Sequence, residues 1–552
     1  MPKIVTVAEM KAIEAAADQA GVTYAMMMES AGKAVAQAVL ARLENPADHK
    51  VVVLCGHGNN GGDGMVAAYH LAEAGLGSVA LYFAKMPLDG ENDPNLQRVR
   101  QKGLFVVDAE NDQRWRVLKN LVGGVTVLID AVFGTGVRLP LKGTPAEMLR
   151  QVKKALEERV TLPLRVAVDC PSGLNCDTGE LDDVAIPADV AVTFAAAKRG
   201  QFVFPAADAL GELIVADIGI HPDLPELAGV KLELGTAEAV RALLPARPRN
   251  AHKGTFGRAL IAAGSVNFTG AAYLAGAAAY RIGAGLVTLA VPTPIYPILA
   301  TQLPEATWIM LPHEMGVIAS GAAEVLAKEL DKSQVLLIGP GFGMEKETAA
   351  FLRRLLRVEE AGGRGQMGFA HRGEAGASEK SSQPVPLPPM VVDADGLKLL
   401  APIEGWPKFL PPGAVLTPHP GEMAILTGAS KEEIQSDRIG AAQKFASEWG
   451  HVVVLKGAFT VVAAPDGRAT MQPFATAALA RAGTGDVLAG AIAGLLAQGL
   501  APYDAAVAGA YLHGLAGILA ARALGTTASV LASDVLEALP EALAEVEHGA
   551  QT

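Results

Sequence analysis

One rhythm governs this chain. A run of three to six residues, dominated by valine, leucine, isoleucine and alanine, is followed by a turn or a helix-length stretch before the next run begins. In the first half the runs are 50–55, 78–83, 125–129, 165–168, 189–194 and 212–215; in the second they are 259–263, 286–290, 335–338, 390–392, 414–416 and 452–455. Runs this short, apolar throughout and bounded by turn residues, read as buried strands rather than helices. Strands separated by helix-length crossovers form a parallel sheet covered by helices on both faces. The fold class is therefore α/β in both halves.

The length of 552 residues exceeds what one core supports, so two layered domains are expected. Prolines and isolated charges interrupt the rhythm after residue 222. We place domains at 1–225 and 241–552, joined by a linker at 226–240. The stretch 8–43 reads as helical, and 359–389, rich in Gly, Ser, Pro, Arg and Gln, as a mobile surface loop. With 50% hydrophobic and 19% charged residues, large cores are available. A net charge of −12 argues against a nucleic-acid surface or attraction to anionic lipid. The three cysteines, Cys55, Cys170 and Cys176, lack zinc-ligand spacing, which points to a reducing, cytoplasmic setting. The first ten residues lack the apolar core of a signal peptide. Two Ala/Gly-rich stretches, 270–291 and 505–524, approach membrane-span length but carry Arg281, and His513 with Arg522. They read as buried helices, and no membrane partner is expected.

In the first half, residues 56–61 formally match the dinucleotide fingerprint between a strand and a helix. The match fails physically. The next strand ends at Ala84 and Lys85, where a ribose-binding acid belongs, and Asp63 lies where a pyrophosphate would rest. Asp130 and Asp169 stand at the ends of two later strands, ahead of Gly134, Thr135, Gly136 and of Pro171, Ser172, Gly173. Ligands of open α/β sheets gather at such strand ends. Side-chain oxygens of Asn60, Asp130 and Ser172 can converge on a hard cation, and Gly134 to Gly136 can offer backbone donors to a phosphate. Any one of these residues alone also suits an ordinary turn.

These motifs, 59–64, 130–136 and 169–173, resemble those of the YjeF N-terminal family of NAD(P)HX epimerases across residues 1–220. The resemblance implies a Rossmann-like domain acting on NADH or NADPH hydrated at the nicotinamide ring, the compounds NADHX and NADPHX. It implies K+ at Asn60, Asp130 and Ser172. It implies substrate along Asn59, Asn60, Gly61, Gly62 and Asp63, along Gly134, Thr135, Gly136, Val137, Arg138, Leu139 and Pro140, and at Asp169. Asp169 is the candidate acid/base residue.

In the second half, Arg481, Ala482, Gly483, Thr484, Gly485 and Asp486 run into the apolar stretch 487–496. Gly483, Thr484 and Gly485 free backbone N–H groups at the positive end of a helix, which makes an anion cradle. Asp486 would repel a phosphate, so it must face something else, such as a hydroxyl that loses its proton as phosphate arrives. The plainer alternative is a glycine turn with Asp486 as helix cap. No Walker A sequence is present. Residues 253–257, 339–343, 393–397, 417–422 (including His419 and Glu422), 456–460 and 482–486 occur in the order of the ribokinase-like superfamily and resemble its NAD(P)HX dehydratase branch across 240–545. The resemblance implies an adenine nucleotide on Lys456, Gly457, Ala458, Phe459, Thr460 and Gly485, beside the Gly483 and Thr484 cradle. It implies the hydrated dinucleotide at Gly343, His419 and Asp486, with Mg2+ as cofactor. The insertion 359–389 departs from the compact family pattern.

The expected function is therefore bifunctional nicotinamide-nucleotide repair: epimerisation of R and S hydrates, then dehydration of the S form while ADP is split to AMP and phosphate. A homo-oligomer is expected. The rival readings are a vitamin or sugar kinase with an accessory nucleotide-binding domain, and a catalytically silent nucleotide sensor.

Overall fold

A computed structural model describes residues 1–87, 90–358 and 386–549; the expected surface loop falls, up to residue 385, outside the described residues. The chain divides into two compact units, Pro2–Glu233 and the chain from Leu234 onward. The stretch 226–240 is structured, with strand Leu232–Leu234 and a helix beginning at Ala237.

The first unit is a seven-stranded sheet with every strand pair parallel. In chain order its strands are β1 (Lys50–Cys55), β2 (Ser78–Phe83), β3 (Phe105–Asp108), β4 (Val127–Ala131), β5 (Leu164–Val168), β6 (Val190–Phe194) and β7 (Glu212–Ala216). Across the sheet the order is β3, β2, β1, β4, β5, β6, β7, so the direction of winding reverses between β1 and β4, and a ligand crevice opens there. The stretch expected as one helix is two, α1 (Val7–Gln19) and α2 (Tyr24–Leu40). Gly21 at φ +101° turns the chain between them, and Thr6 and Thr23 accept hydrogen bonds from the first-turn N–H groups of Glu9 and Met26.

The fingerprint match at 56–61 is expected between a strand and a helix, yet residues 59–64 lie within the first turns of α3 (Asn59–Glu73). Close approach explains the glycines. A Cβ on Gly61 would stand 2.0 Å from the Gly56 carbonyl oxygen, and one on Gly64 would stand 2.6 Å from Ala131 Cβ. Their absence lets the helix N-terminus sit directly over the ends of β1 and β4. A two-residue strand, Ile4–Val5, pairs in parallel with Ala197–Lys198.

The second unit is built on a ten-stranded sheet. Its strands are β8 (Arg258–Ala262), β9 (Leu286–Pro292), β10 (Thr307–Leu311), β11 (Val335–Ile338), β12 (Met390–Val392), β13 (Val415–Leu416), β14 (Val452–Leu455), β15 (Val461–Ala463) and β16 (Ala469–Met471), with Leu232–Leu234 at one edge. From that edge the order is Leu232–Leu234, β16, β15, β14, β13, β12, β11, β8, β9, β10. Pairs from β10 to β14 are parallel, whereas β15 and β16 add as an antiparallel meander. The stretch 270–291 is a helix, α4 (Thr269–Arg281), followed by β9.

Helix α5 (Pro420–Thr427) follows β13, and α6 (Thr484–Ala497) packs into the core with every residue from Val487 to Ala497 buried. Gly490 and Gly494 bring it against α4: a Cβ on Gly490 would stand 2.1 Å from the Ala275 carbonyl oxygen. Helix α7 (Pro502–Leu524) is long and apolar enough to cross a membrane, yet 67% of its most apolar window is buried within the fold. It is a core helix.

Candidate functional sites

In the first unit, Asp169 leaves β5 at φ +66°, a left-handed conformation unfavourable for a side chain with a Cβ and found where surrounding bonds over-determine the backbone. Those bonds are present. The Asp169 N–H donates to Val192 O at 2.8 Å, and Gln201 Nε2 donates to Asp169 O at 3.0 Å. Asp169 Oδ1 accepts from Thr193 Oγ1 at 2.9 Å and from Lys198 Nζ at 2.7 Å. Lys198, only 1% exposed, also donates to Thr193 Oγ1 and Phe194 O. One oxygen of Asp169 is thus held, while Oδ2 faces the loop at Gly134, 3.1 Å from where a Gly134 Cβ would be.

The same hypothetical Cβ would lie 3.0 Å from Asn60 Oδ1, so Gly134 lets its loop reach both side chains. Among the described residues Asn60 Nδ2 is buried without a hydrogen-bond partner. Asp130, inside β4 rather than after it, accepts from Ser172 Oγ at 2.6 Å and Ser172 N at 2.8 Å, and Phe133 N donates to Ser172 Oγ at 2.9 Å. Burial pushes the Asp130 pKa up, although the Ser172 hydrogen bonds oppose it. Burial, with help from the negative charge of Asp169 and Glu14, holds the Asp63 pKa well above the usual carboxylate range. Val137, Arg138, Leu139 and Pro140, with Gly136, line an open cavity of about 400 Å³. Asn59 to Asp63, Gly134 and Thr135 do not line it.

In the second unit, Lys456 follows β14 and reaches Asp393, beyond β12, at 2.7 Å, and Glu422, on α5, at 3.7 Å. Burial alone would lower the Lys456 pKa, but Asp393 and Glu422 carry it upward on balance. Thr417 Oγ1 donates to the same Asp393 oxygen at 2.6 Å, and Asp393 Oδ2 is buried without a partner among the described residues. Gly485, in the first turn of α6, stands over this pair: its Cβ would lie 3.2 Å from Lys456 Nζ and 3.9 Å from Asp393 Oδ2. Asp486 is next. Burial first, then the charge of Asp393, raise its pKa from 3.8 to about 7, with Lys456 opposing.

His419 caps α5, its Nδ1 accepting from the N–H groups of Gly421 at 3.0 Å and Glu422 at 3.2 Å, with Nε2 3.4 Å from Glu422 Oε1. Burial lowers its pKa despite Glu422. Arg438 donates to the carbonyls of Leu455 at 3.1 Å and of Ala458, bracing the turn that carries Lys456, Gly457 and Ala458. His419, Lys456, Gly457, Ala458, Thr460, Thr484 and Gly485 line one cavity of about 470 Å³, closed by Phe474, Leu479 and His513. Gly343, Phe459, Gly483 and Asp486 stand outside its lining. Gly343 N donates to Asp395 Oδ2 at 3.0 Å, and the Phe459 N–H donates to Phe474 O.

Sequence reasoning missed Lys198, Thr193, Gln201, Arg438 and the place of His513. The available signal for Lys198 was a lysine closing the otherwise apolar and small run 190–197.

Comparison with known proteins covers both units. A family model described as "YjeF-related protein N-terminus" matches residues 24–200, and one described as "NAD(P)H-hydrate dehydratase" matches 259–361 and 377–541. A bifunctional NAD(P)H-hydrate repair enzyme Nnr from Moorella thermoacetica is 38% identical over 100% of this chain and 98% of its own length. The protein of the same name from Thermofilum pendens is 36% identical over 98% of this chain and 96% of its own. A solved ADP/ATP-dependent NAD(P)H-hydrate dehydratase from Bacillus subtilis, co-crystallised with ATP and Mg2+, is 30% identical, covering 57% of this chain and 99% of that one at a TM-score of 0.45.

Proposed function

Because the chain belongs to the family of bifunctional NAD(P)H-hydrate repair enzymes, we propose that its first unit interconverts the R and S hydrates at Asp169 and its second returns the S hydrate to NAD(P)H at Asp486. A vitamin or sugar kinase is not favoured, since relatives aligned from end to end carry both halves under the single repair function.

The observation that carries the dehydratase reading is Asp486 on the first turn of α6, with a pKa of about 7, beside the Lys456 and Asp393 pair. A carboxylate poised there accepts the proton of the ring hydroxyl while the hydroxyl oxygen attacks the terminal phosphoryl group of ADP and AMP departs. The α6 N–H groups and Lys456 meet the charge that develops on the phosphoryl oxygens. The ring nitrogen lone pair then expels phosphate, and loss of a proton from the adjacent carbon restores the dihydropyridine. Mg2+, which commonly binds through one or two carboxylates and phosphate oxygens, fits the unpartnered Asp393 Oδ2 and would neutralise phosphate charge there. ADP rather than ATP as donor is part of this proposal.

In the first unit, Asp169 Oδ2 is the working oxygen, since Oδ1 is held by Lys198 and Thr193. Protonation of the ring hydroxyl lets the nitrogen lone pair expel water, and water re-adds to the flat centre from the other face. Asp63, whose raised pKa favours its protonated form, is placed in the same electrostatic cluster to hydrogen-bond the substrate. A K+ ion suits the oxygen donors that Asn60, Asp130 and Ser172 offer, which include one carboxylate. There it would hold the Gly134 loop against Asp169.

We further infer a cytosolic location from the three free cysteines, all buried, and a homo-oligomer from the exposed Tyr24 and Met26 at the start of α2. Sedimentation tests the latter. For the activity, hydrated NADH is incubated with the protein, ADP and Mg2+, and the dihydropyridine absorbance is followed. Recovery of both epimers is expected, and recovery of neither would overturn the proposal.

A further inference from the structure

Gln201 lies in the turn Arg199–Phe202, just after Lys198, and is 1% exposed. Its side-chain amide makes two hydrogen bonds. Oε1 accepts from the Lys198 N–H at 2.8 Å, and Nε2 donates to the Asp169 carbonyl oxygen at 3.0 Å. The partners settle which end of the amide is which, because a backbone N–H only donates and a carbonyl oxygen only accepts. One neutral side chain thus ties the backbone of Asp169 to the backbone of the lysine whose ammonium holds Asp169 Oδ1.

The turn is seated so that the amide reaches both. The Gly200 N–H donates to Cys176 O at 2.7 Å, and a Cβ on Gly200 would stand 2.4 Å from the Asn175 carbonyl oxygen, so the turn is pressed onto residues 175–176. Ala197 and Lys198 are themselves paired with Ile4 and Val5. Gln201 therefore acts from a fixed base on a strained residue, Asp169 at φ +66°. Without Nε2 the Asp169 carbonyl loses this donor and the backbone is free to relax. Rotation there swings the Asp169 side chain, and Oδ2 leaves its place opposite Gly134. Both partners of Gln201 lie outside 59–63 and 134–140, so the segments assigned to substrate binding are not what it holds.

Resting on the reading of Asp169 as the acid/base group, we propose that Gln201 is a positioning residue for epimerisation, which keeps Asp169 Oδ2 aimed at the reacting hydroxyl by clamping the Asp169 carbonyl to the Lys198 backbone.

The test follows conversion of R to S hydrate by the full chain, without nucleotide so that dehydration is silent, and compares Q201M and Q201E with wild type. Q201M keeps the length of the side chain and neither bond. Its kcat should fall about 10–100-fold, the cost of displacing a reacting group by about 1 Å, with KM within about twofold of wild type. Q201E keeps size and shape and isolates the donor. Ionised, the introduced carboxyl sets an oxygen against the Asp169 carbonyl; protonated, its O–H donates there while the other oxygen still accepts from Lys198. The charged and titratable groups around it are the Lys198 ammonium, the Asp169, Asp63 and Glu14 carboxyls and the Cys170 and Cys176 thiols. Rates are read as a ratio to wild type at each pH, which removes the titrations the two proteins share. Burial favours the protonated carboxyl, so the Q201E ratio should rise at least about threefold between pH 8 and pH 5.5 while the Q201M ratio stays flat.

An effect on KM with kcat unchanged overturns the proposal, as does a loss confined to Tm, or a Q201E ratio that does not change with pH. D169N, assayed alongside, keeps the two readings apart. If it epimerises normally, the assignment of Asp169 falls; if it is inactive while Q201M turns over like wild type, only the role of Gln201 falls. Circular dichroism shows whether Q201M is folded, and Q201E at pH 5.5, which has the shape and neutrality of the native side chain, decides the matter if it is not.

Discussion

Replacing Asp486 by asparagine separates the chemical from the electrostatic role of this carboxylate. In the folded protein, burial and Asp393 raise its pKa from 3.8 to about 7. The folded state therefore binds this proton more tightly than the unfolded chain does. The resulting stabilisation is fully present below pH 3.8, declines as pH rises and is gone above about pH 7. A rise of that size corresponds to roughly 4 kcal/mol at low pH, and at pH 5 to about 3 kcal/mol relative to pH 8. Asp486 is partly accessible, so solvent screening reduces the pH 5 figure to about 1–2 kcal/mol. The amide of the variant has no such proton to bind. Relative to wild type, D486N should gain at pH 8 and lose most of that advantage by pH 5, a relative shift in Tm of about 2–4 °C. Thermal unfolding at the two pH values, followed by circular dichroism, measures it. Dehydration should fall about 10²–10⁴-fold, the usual worth of a general base, while epimerisation continues. The reasoning is refuted if the Tm difference between variant and wild type is the same at both pH values, or if dehydration survives.

Other substitutions probe the remaining contacts. K198M leaves Asp169 buried without its cation, so it should cost about 3–5 kcal/mol, which denaturant titration reads. S172A removes a hydroxyl that donates to Asp130 and should cost about 1–3 kcal/mol. It should also weaken the response of epimerisation to added KCl, measured against NaCl at constant ionic strength. R438M releases the carbonyls of Leu455 and Ala458 and should raise the KM for ADP about tenfold with little change in kcat, as steady-state kinetics will show.

Much of the fold was legible because a strand covered on both faces must be apolar throughout, and most core strands of both sheets obey that pattern. The strands of the two large sheets that escaped are Leu232–Leu234, β3, β10, β15 and β16, which lie at or near the sheet edges. There, short or partly exposed strands such as Phe105–Asp108 carry a weaker signal. Residues 59–64 misled in another way. Glycine ordinarily speaks for a loop, but at Gly61 and Gly64 it serves the contact of a helix with strand ends, a long-range fact that local propensity does not contain.

The sites divide along the same line. Asp130, Asp169, His419 and Asp486 follow or flank strands and helix starts, where sequence position already implies a crevice. Lys198 depends on the pairing of Ala197–Lys198 with Ile4–Val5, nearly two hundred residues away in the chain. His513 showed only as an interruption of an apolar helix, because its place in the wall of the second unit's cavity depends on how α7 packs.

The glycine contacts between α4 and α6 have a kinetic consequence. With Gly490 and Gly494 against the backbone of Ala275 and Ala279, α6 has no room to slide toward or away from an arriving anion. If phosphoryl transfer takes place there as proposed, the N–H groups at its first turn already hold their orientation, and little dipole reorientation accompanies the migration of charge. The reorganisation cost falls on the incoming dinucleotide and nucleotide, which must fit a field already in place.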